Sequence, residues 1–284
     1  MNDGQKFLAR YYFANIIRSK IGGALIRACL ARSASGWAML RERYRGEHSW
    51  LVVGNGPSLA VEDLEALGHL PSIASNKINL LFKRTAWRPT LYTISDNLVL
   101  FKLPQEHYDD FDMVLVPETG YFMARTEKLL PFRSVTGKAR SEWFGSLEDR
   151  PDPVSTGFLD GNTVTAYNIQ IALWLGARSI YLIGCDHFYN EAKHSGVRKL
   201  AHEATASNHF DPNYRRPGEI VNSAPIQKLE EGYTAVRQLA ERFDARVINV
   251  TRRTALTTFE LANVEDVVLC TNGSGSGAAQ RGLD

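Results

Sequence analysis

The sequence predicts a Rossmann-like, doubly wound α/β protein with a mostly parallel sheet, a helical N-terminal extension and a long lid segment. Three observations carry this expectation. From Trp50 onward, short β-rich runs alternate with helical stretches, the pattern of a parallel sheet with helices on both faces. The apolar run "WLVV" stops at Gly54-Asn55-Gly56-Pro57-Ser58, and a strand emptying through a Gly-rich turn into a helix is how α/β proteins present backbone N–H groups to an anion. After the strand-like "SIYLIGCD", periodicity vanishes between Asp186 and Pro225. That segment of about forty residues is too long for a routine connection and starts where open α/β sheets bind ligands.

Taken in order, "WLVV" leads to the helical "VEDLEALG", "PSIASN" to "KINLLFK", "TLYTIS" to "NLVLFKL", and "DMVLVP" to "TGYFMARTEKLL". Next, "NTVTAYNIQIALWLGA" reads as a helix with apolar residues at Val164, Ile171 and Leu175, feeding "SIYLIGCD". The chain closes with helix "IQKLEEGYTAVRQLAERF", strand "RVINV", the short "TTFELANVEDVV" and a Gly/Ser-rich tail. The expected organisation is a basic helical arm over 1–46, a nucleotide-binding domain over 47–270 with its lid at about 186–225, and a flexible tail over 271–284.

A chain of 284 residues can bury one sizeable core. Cys29, Cys185 and Cys270 are odd in number and lack the spacing of a disulfide framework or zinc site. A reducing, cytoplasmic compartment is the expectation, because neither a spanning run of about eighteen apolar residues nor a secretory signal is legible. The net charge of +2 hides an asymmetry: residues 1–46 hold nine basic and two acidic residues, a net of +7. Within that arm "QKFLARYYFANIIRSK" has a helical face, interrupted at Gly22-Gly23 before "ALIRACLAR". Such a helix suits an anionic membrane surface, a partner protein, or the domain's own apolar surface. Nucleic acid is not expected as a partner, since the body is acidic and the basic residues sit in the arm. Homo-oligomerisation stays open.

Three constellations can carry chemistry. Gly54, Asn55, Gly56 and Ser58 form a turn that is neither a P-loop nor a GxGxxG fingerprint, because Leu59 stands at the third glycine position. Asn76 and Asp96 close the next two strands, so a parallel sheet brings them to the same edge as Asn55; helix capping is the competing role for each. Asp186-His187-Phe188-Tyr189 and "SNHFDPNY" flank the long segment, where His209 can take a proton from a hydroxyl and Tyr189 and Tyr214 can donate to a leaving phosphate. Asp110-Phe111-Asp112 precedes its strand, on the wrong edge for a metal-dependent transferase, and reads as a solvated turn.

In order and spacing, "VVGNGPSL", Asn76, "ALWLGARSIYLIGCDHFY" and "NHF" resemble the family 42 bacterial sialyltransferases. They also resemble the broad domain family named after the archaeal hydroxymethylpterin diphosphokinase. The resemblance spans roughly 50–268 and leaves the arm aside. It implies a metal-independent, inverting transfer from a CMP-activated nonulosonic acid to a surface-glycan acceptor, with no cofactor. Asn55 and Asn76 would contact the CMP moiety, His209 would be the base, and Tyr189 would meet the phosphate. Thr163 falls where the sialyltransferases carry a Thr-Ser-Gly. The pterin kinase branch implies instead ATP, Mg²⁺ held by Asp96 and Asp186, and pyrophosphoryl transfer. A non-catalytic nucleotide-binding scaffold for polysaccharide assembly, anchored by the arm, is the third reading.

Overall fold

The computed structural model describes residues 22–123, 126–137, 139–188, 196–199, 208–215, 219–223 and 225–274. Eight strands form one sheet: β1 (Ser49–Val53), β2 (Ser72–Ser75), β3 (Leu91–Thr93), β4 (Val114–Pro117), β5 (Leu129–Phe132), β8 (Ser179–Ile183), β11 (Arg246–Asn249) and β12 (Glu260–Leu261). Their order is β12-β11-β8-β1-β2-β3-β4-β5, and every neighbouring pair is parallel. The chain therefore winds from β1 outward through β5, then returns to lay β8, β11 and β12 on the other side. The winding direction reverses between β1 and β8, where connections leave the sheet in opposite directions and open a crevice at the carboxyl ends. Two short pairs stand apart: parallel β6 (Ser134–Val135) with β7 (Phe158–Leu159), and antiparallel β9 (Gly196–Lys199) with β10 (Ile220–Ser223).

Alternation along β1 divides the core. Trp50 and Val52 join one buried cluster and Leu51 and Val53 the other, as the period of two demands of a strand covered on both faces. On the first face lie α1 (Gly22–Arg43), α6 (Val164–Leu175) and α7 (Ile226–Arg242); α2 (Val61–Ala66) covers the second. Between α2 and α6 in the chain come α3 (Asn97–Lys102), α4 (Gln105–Asp109) and α5 (Ala139–Ser146), and α8 (Val264–Ser274) follows α7. Helix α6 is buried from Thr165 to Leu175. Its interior Gln170 is satisfied, donating to the Leu159 and Ala166 carbonyls at 2.9 Å and accepting from the Leu159 N–H at 2.7 Å. Thr163 caps the start of α6, accepting from the Thr165 N–H at 3.3 Å, and Gly176 ends it at φ 109°.

Helix α1 belongs to the domain. Leu30, Trp37 and Leu40 are buried, and the Trp37 ring meets Phe132, Phe158 and Trp174 edge-on at 6.4, 6.1 and 5.4 Å. Residues 22–43 thus cover the domain's own apolar surface, one of the three roles open to the arm, while 1–21 lie outside the described residues. The Trp37 indole N–H donates to the Pro131 carbonyl at 2.9 Å. Trp37→Phe keeps most of the apolar contact and removes that donor, so chemical denaturation is expected to show a loss of about 1–3 kcal/mol.

Three local expectations are corrected. "KINLLFK" forms a 3₁₀ helix over Ile78–Lys83. In "TGYFMARTEKLL" a 3₁₀ turn over Gly120–Phe122 gives way to strand β5, because pairing with β4 buries Leu130 and Phe132. Residues 271–274, expected in a flexible tail, belong to α8, which continues to Ser274, and 275–284 lie outside the described residues. Among the described residues, no helix is long and apolar enough to cross a membrane.

Candidate functional site

The turns after β1 and β8 interlock at the crevice. The Gly54 N–H donates to the Ile183 carbonyl and the Gly56 N–H to the Gly184 carbonyl, both at 2.8 Å. A Cβ on Gly54 would collide with the Gly184 carbonyl oxygen, and one on Gly56 with the Asp186 carboxylate. Gly184 itself has φ 66°. The two glycines therefore serve close approach between adjacent loops. Ser58 ties the loops together, its N–H and Oγ donating to the two Asp186 oxygens at 2.9 and 2.8 Å. Burial raises the Asp186 carboxyl above its ordinary value, against those hydrogen bonds.

The expected helix does not start at Pro57-Ser58. Helix α2 begins at Val61 and spans six residues, so it makes no anion cradle for this turn. The longer α6 presents Thr163, Val164 and Thr165 to the cleft instead.

The cleft is lined by the Gly turn, Ser75, Asn76, the start of α6, 184–188, Asn208, His209, Tyr214, Arg215 and Tyr233. The Asn55 side-chain amide donates to the Ser75 carbonyl at 3.2 Å. The Oδ1 atoms of Asn55, Asn76 and Asn208 are buried without a hydrogen-bond partner. Three orphaned amide oxygens of cleft-lining residues are costly, and they fit a ligand rich in hydroxyl and amino donors. Asn76 sits at φ 56°. The Tyr92 hydroxyl donates to its carbonyl and lies 2.6 Å from His107 Nε2.

His209 lies over the Gly turn. Its Nδ1 is 3.2 Å from the Asn55 carbonyl, which also accepts from the Phe210 N–H at 3.2 Å. A carbonyl can only accept, so Nδ1 carries the proton and Nε2 holds the lone pair. The imidazole stacks on Tyr214 at 3.8 Å and 22°. Burial first, then the nearby Arg215 charge, pushes its pKa down to about 3. Burial likewise pushes the Tyr214 phenol up to about 12.

His107 is also held neutral by burial, at about 4. Both imidazoles sit below their ordinary 6.5 when folded, so the unfolded chain binds more protons between about pH 6.5 and 4. Stability is therefore complete above that window and falls as pH drops through it. Melting temperatures between pH 7 and 4 are expected to fall less steeply for His107→Gln than for the natural chain; equal slopes would contradict this.

Of the expected site residues, Gly54, Asn55, Gly56, Asn76, Thr163, Asp186, His209 and Tyr214 line the cleft. Asp96 does not: it caps α3, accepting from the Leu98 N–H at 2.8 Å, and burial raises its carboxyl. Tyr189 lies outside the described residues, as does much of the expected lid. Ser58 is not in the lining, and its N–H and Oγ are both taken by Asp186. Asp186, held by Ser58, lines the cleft, whereas Asp96 is outside the lining. Among the described residues, no three His, Cys, Asp or Glu side chains group to hold a metal ion. Sequence reasoning missed Arg215, Tyr233 and Lys77, and it found no cation near the Gly turn. The fold brings Arg215 to the cleft, with Lys77 Nζ donating to the Tyr214 carbonyl at 2.6 Å.

No family model and no curated protein matches the chain. Among solved structures, it is similar to the Bordetella bronchiseptica enzyme WbmH in complex with NAD⁺, at 11% identity and a TM-score of 0.27, covering 81% of this chain and 73% of that one. The assignment of a doubly wound parallel α/β fold rests on the strand order itself.

Proposed function

We propose that this chain moves a sugar from a nucleotide donor to a glycan acceptor, with a CMP-activated nonulosonic acid as the favoured donor. The observation that carries this reading is the His209 Nδ1 contact with the Asn55 carbonyl. It fixes a neutral imidazole with a lone pair on Nε2 beside a wall of unpartnered amide oxygens. In the transfer, Nε2 takes the proton of the acceptor hydroxyl. The hydroxyl oxygen bonds to the anomeric carbon as the carbon–oxygen bond to the nucleotide phosphate breaks from the opposite face, and CMP leaves with the electron pair. A pKa near 3 makes a weak base, and an anionic donor alongside would raise it. The N terminus of α6 faces the same space and favours the departing negative charge. The basic extension suits the anionic inner surface of a membrane where lipid-borne acceptors are presented.

A thermal-shift panel of CMP, CDP, UDP, GDP and ATP, each with Mg²⁺ and with EDTA, tests the reading. A ligand that binds only the folded state raises its stability. Metal-independent preference for CMP is the expected result. Mg²⁺-dependent preference for ATP would replace sugar transfer by pyrophosphoryl transfer, and no response to any nucleotide would end both.

A further inference from the structure

At the rim of the cleft, one aromatic ring and one guanidinium are left over from the fold's own bonding. Phe188 follows β8, lines the cleft and is 40% exposed. The residue before it, His187, is buried, meets Tyr233 edge-on at 5.5 Å and sits at φ 58°. A left-handed backbone is uncommon and disfavoured at a residue with a side chain. Here it stands between a buried imidazole and an exposed apolar ring at adjacent positions. Arg253 Cζ lies over the Phe188 ring, 5.2 Å from its centroid.

The loop that carries Arg253 leaves β11, the neighbour of β8, at the same carboxyl edge, and it is pinned on both sides of the arginine. Before it, Thr251 Oγ1 accepts from the Cys185 N–H at 3.0 Å and the Thr251 N–H donates to Asn249 Oδ1 at 3.1 Å. After it, Thr254 Oγ1 donates to the Cys185 carbonyl and the Ala255 N–H to the Asp186 carbonyl, both at 2.8 Å. The loop is thus tied to the turn that bears Asp186 and Phe188. Two neighbouring arginines in it are used differently. Arg252 is spent on structure, donating to the two Asp63 oxygens at 2.6 and 2.5 Å and to Glu265 at 3.1 Å. Arg253 has no ion pair or hydrogen bond among the described residues. Its charge nonetheless reaches the cleft lining: burial raises the Asp186 carboxyl, and Arg253 works against that rise.

An exposed arginine lying along an aromatic ring gains little from the contact alone. The ring does, however, restrict the guanidinium without using any of its N–H donors, so the whole fork stays available to an oxyanion. Asp186 does not take it, since both of its oxygens are engaged by Ser58.

We infer that Arg253, with Phe188 as the support of its guanidinium, is a substrate-binding cation of this cleft and holds an oxyanion of the bound ligand, a phosphate of the nucleotide or a carboxylate of the sugar. Either group accepts two parallel N–H bonds from the fork. The inference deepens the proposed sugar transfer and rests on it for the cleft being the place where substrate binds.

The test is calorimetric titration of the full chain and its Arg253→Gln, Arg253→Lys, Phe188→Leu and Arg178→Gln variants with cytidine, CMP, glucose and glucuronate. CMP against cytidine reads a phosphate, and glucuronate against glucose reads a carboxylate. Arg253→Gln is expected to weaken CMP or glucuronate by at least about tenfold, with partial recovery in Arg253→Lys. Cytidine and glucose should stay within about twofold. Phe188→Leu keeps apolar bulk without the ring face and is expected to weaken the same anionic ligand by a smaller factor; unchanged affinity there would overturn the supporting role. Arg178→Gln removes an exposed charge just before β8, at the sheet's other edge, and should move no ligand by more than about twofold. CMP and glucuronate both within twofold in Arg253→Gln would overturn the inference. So would equal losses of charged and uncharged ligands in a variant that melts lower, which would make Arg253 a structural residue, or a natural chain that binds neither anion. A natural chain that binds glucuronate but neither cytidine nor CMP would instead sink the nucleotide reading, and glucuronate would still decide the role of Arg253.

Discussion

His209→Ala is expected to lower the rate of sugar transfer by about 10²–10⁴-fold while leaving CMP affinity within about twofold. The expectation follows from what the side chain touches. Its Nδ1 is engaged by the Asn55 carbonyl and its face by Tyr214, so Nε2 is the atom left to work on a substrate. The nucleotide contacts assigned to Asn55 and Asn76 do not pass through it. Alanine also removes a ring that Tyr214 stacks on, so a rate loss could reflect a shifted loop. His209→Asn separates the two causes, since its amide can still donate to the Asn55 carbonyl but has no basic nitrogen. Both variants should be equally slow, and the natural chain alone should show a pH-dependent limb from the imidazole. A rate within threefold of the natural chain in both would remove His209 from the chemistry and favour a scaffold.

Gly54→Ala is expected to be strongly destabilising. The added Cβ would meet the Gly184 carbonyl oxygen inside van der Waals contact, with Cys185 Sγ at 3.0 Å. The obstacle is backbone, so no rotamer change relieves it, and the two strands flanking it are hydrogen-bonded along their whole length. Overpacking of this kind costs about 3 kcal/mol or more, a fall in melting temperature of roughly 6–12 °C for a domain of this size. Because the displaced loops are those that interlock at the crevice, CMP affinity should fall too. Gly145→Ala is the control: a Cβ there meets nothing within 4 Å, so helix propensity should make it neutral or slightly stabilising.

The sheet and its main helices were legible because β1, β8 and α6 state their burial in the local sequence. Four consecutive apolar residues in "WLVV" and the β-branched "SIYLI" leave little choice. The polar residues ending β1, β2 and β8 could be placed on one edge because parallel strands share a direction. What resisted was whatever depends on partners far away in the chain. The Leu129-Leu130 pair that ends "TGYFMARTEKLL" enters strand β5 because β4 offers pairing groups. Asp96 ends its strand as Asn76 does, yet its carboxylate is spent on the cap of α3. The pairing of Ser58 with Asp186 spans 128 residues, and the meeting of Lys77 with Glu219 spans 142. No local spacing encodes such contacts. Arg215 follows Tyr214 directly in a motif already singled out, and adjacent arginine and tyrosine in a segment over a ligand cleft is the signal that could have flagged it.

The most direct test of the central claim is a crystal structure of the protein grown with saturating CMP. The account predicts a nucleotide in the cleft lined by the Gly54–Gly56 turn, Asn76 and the start of α6, with the side-chain oxygens of Asn55 and Asn76 accepting hydrogen bonds from it. CMP bound elsewhere, or a cleft still empty at saturation, would contradict it.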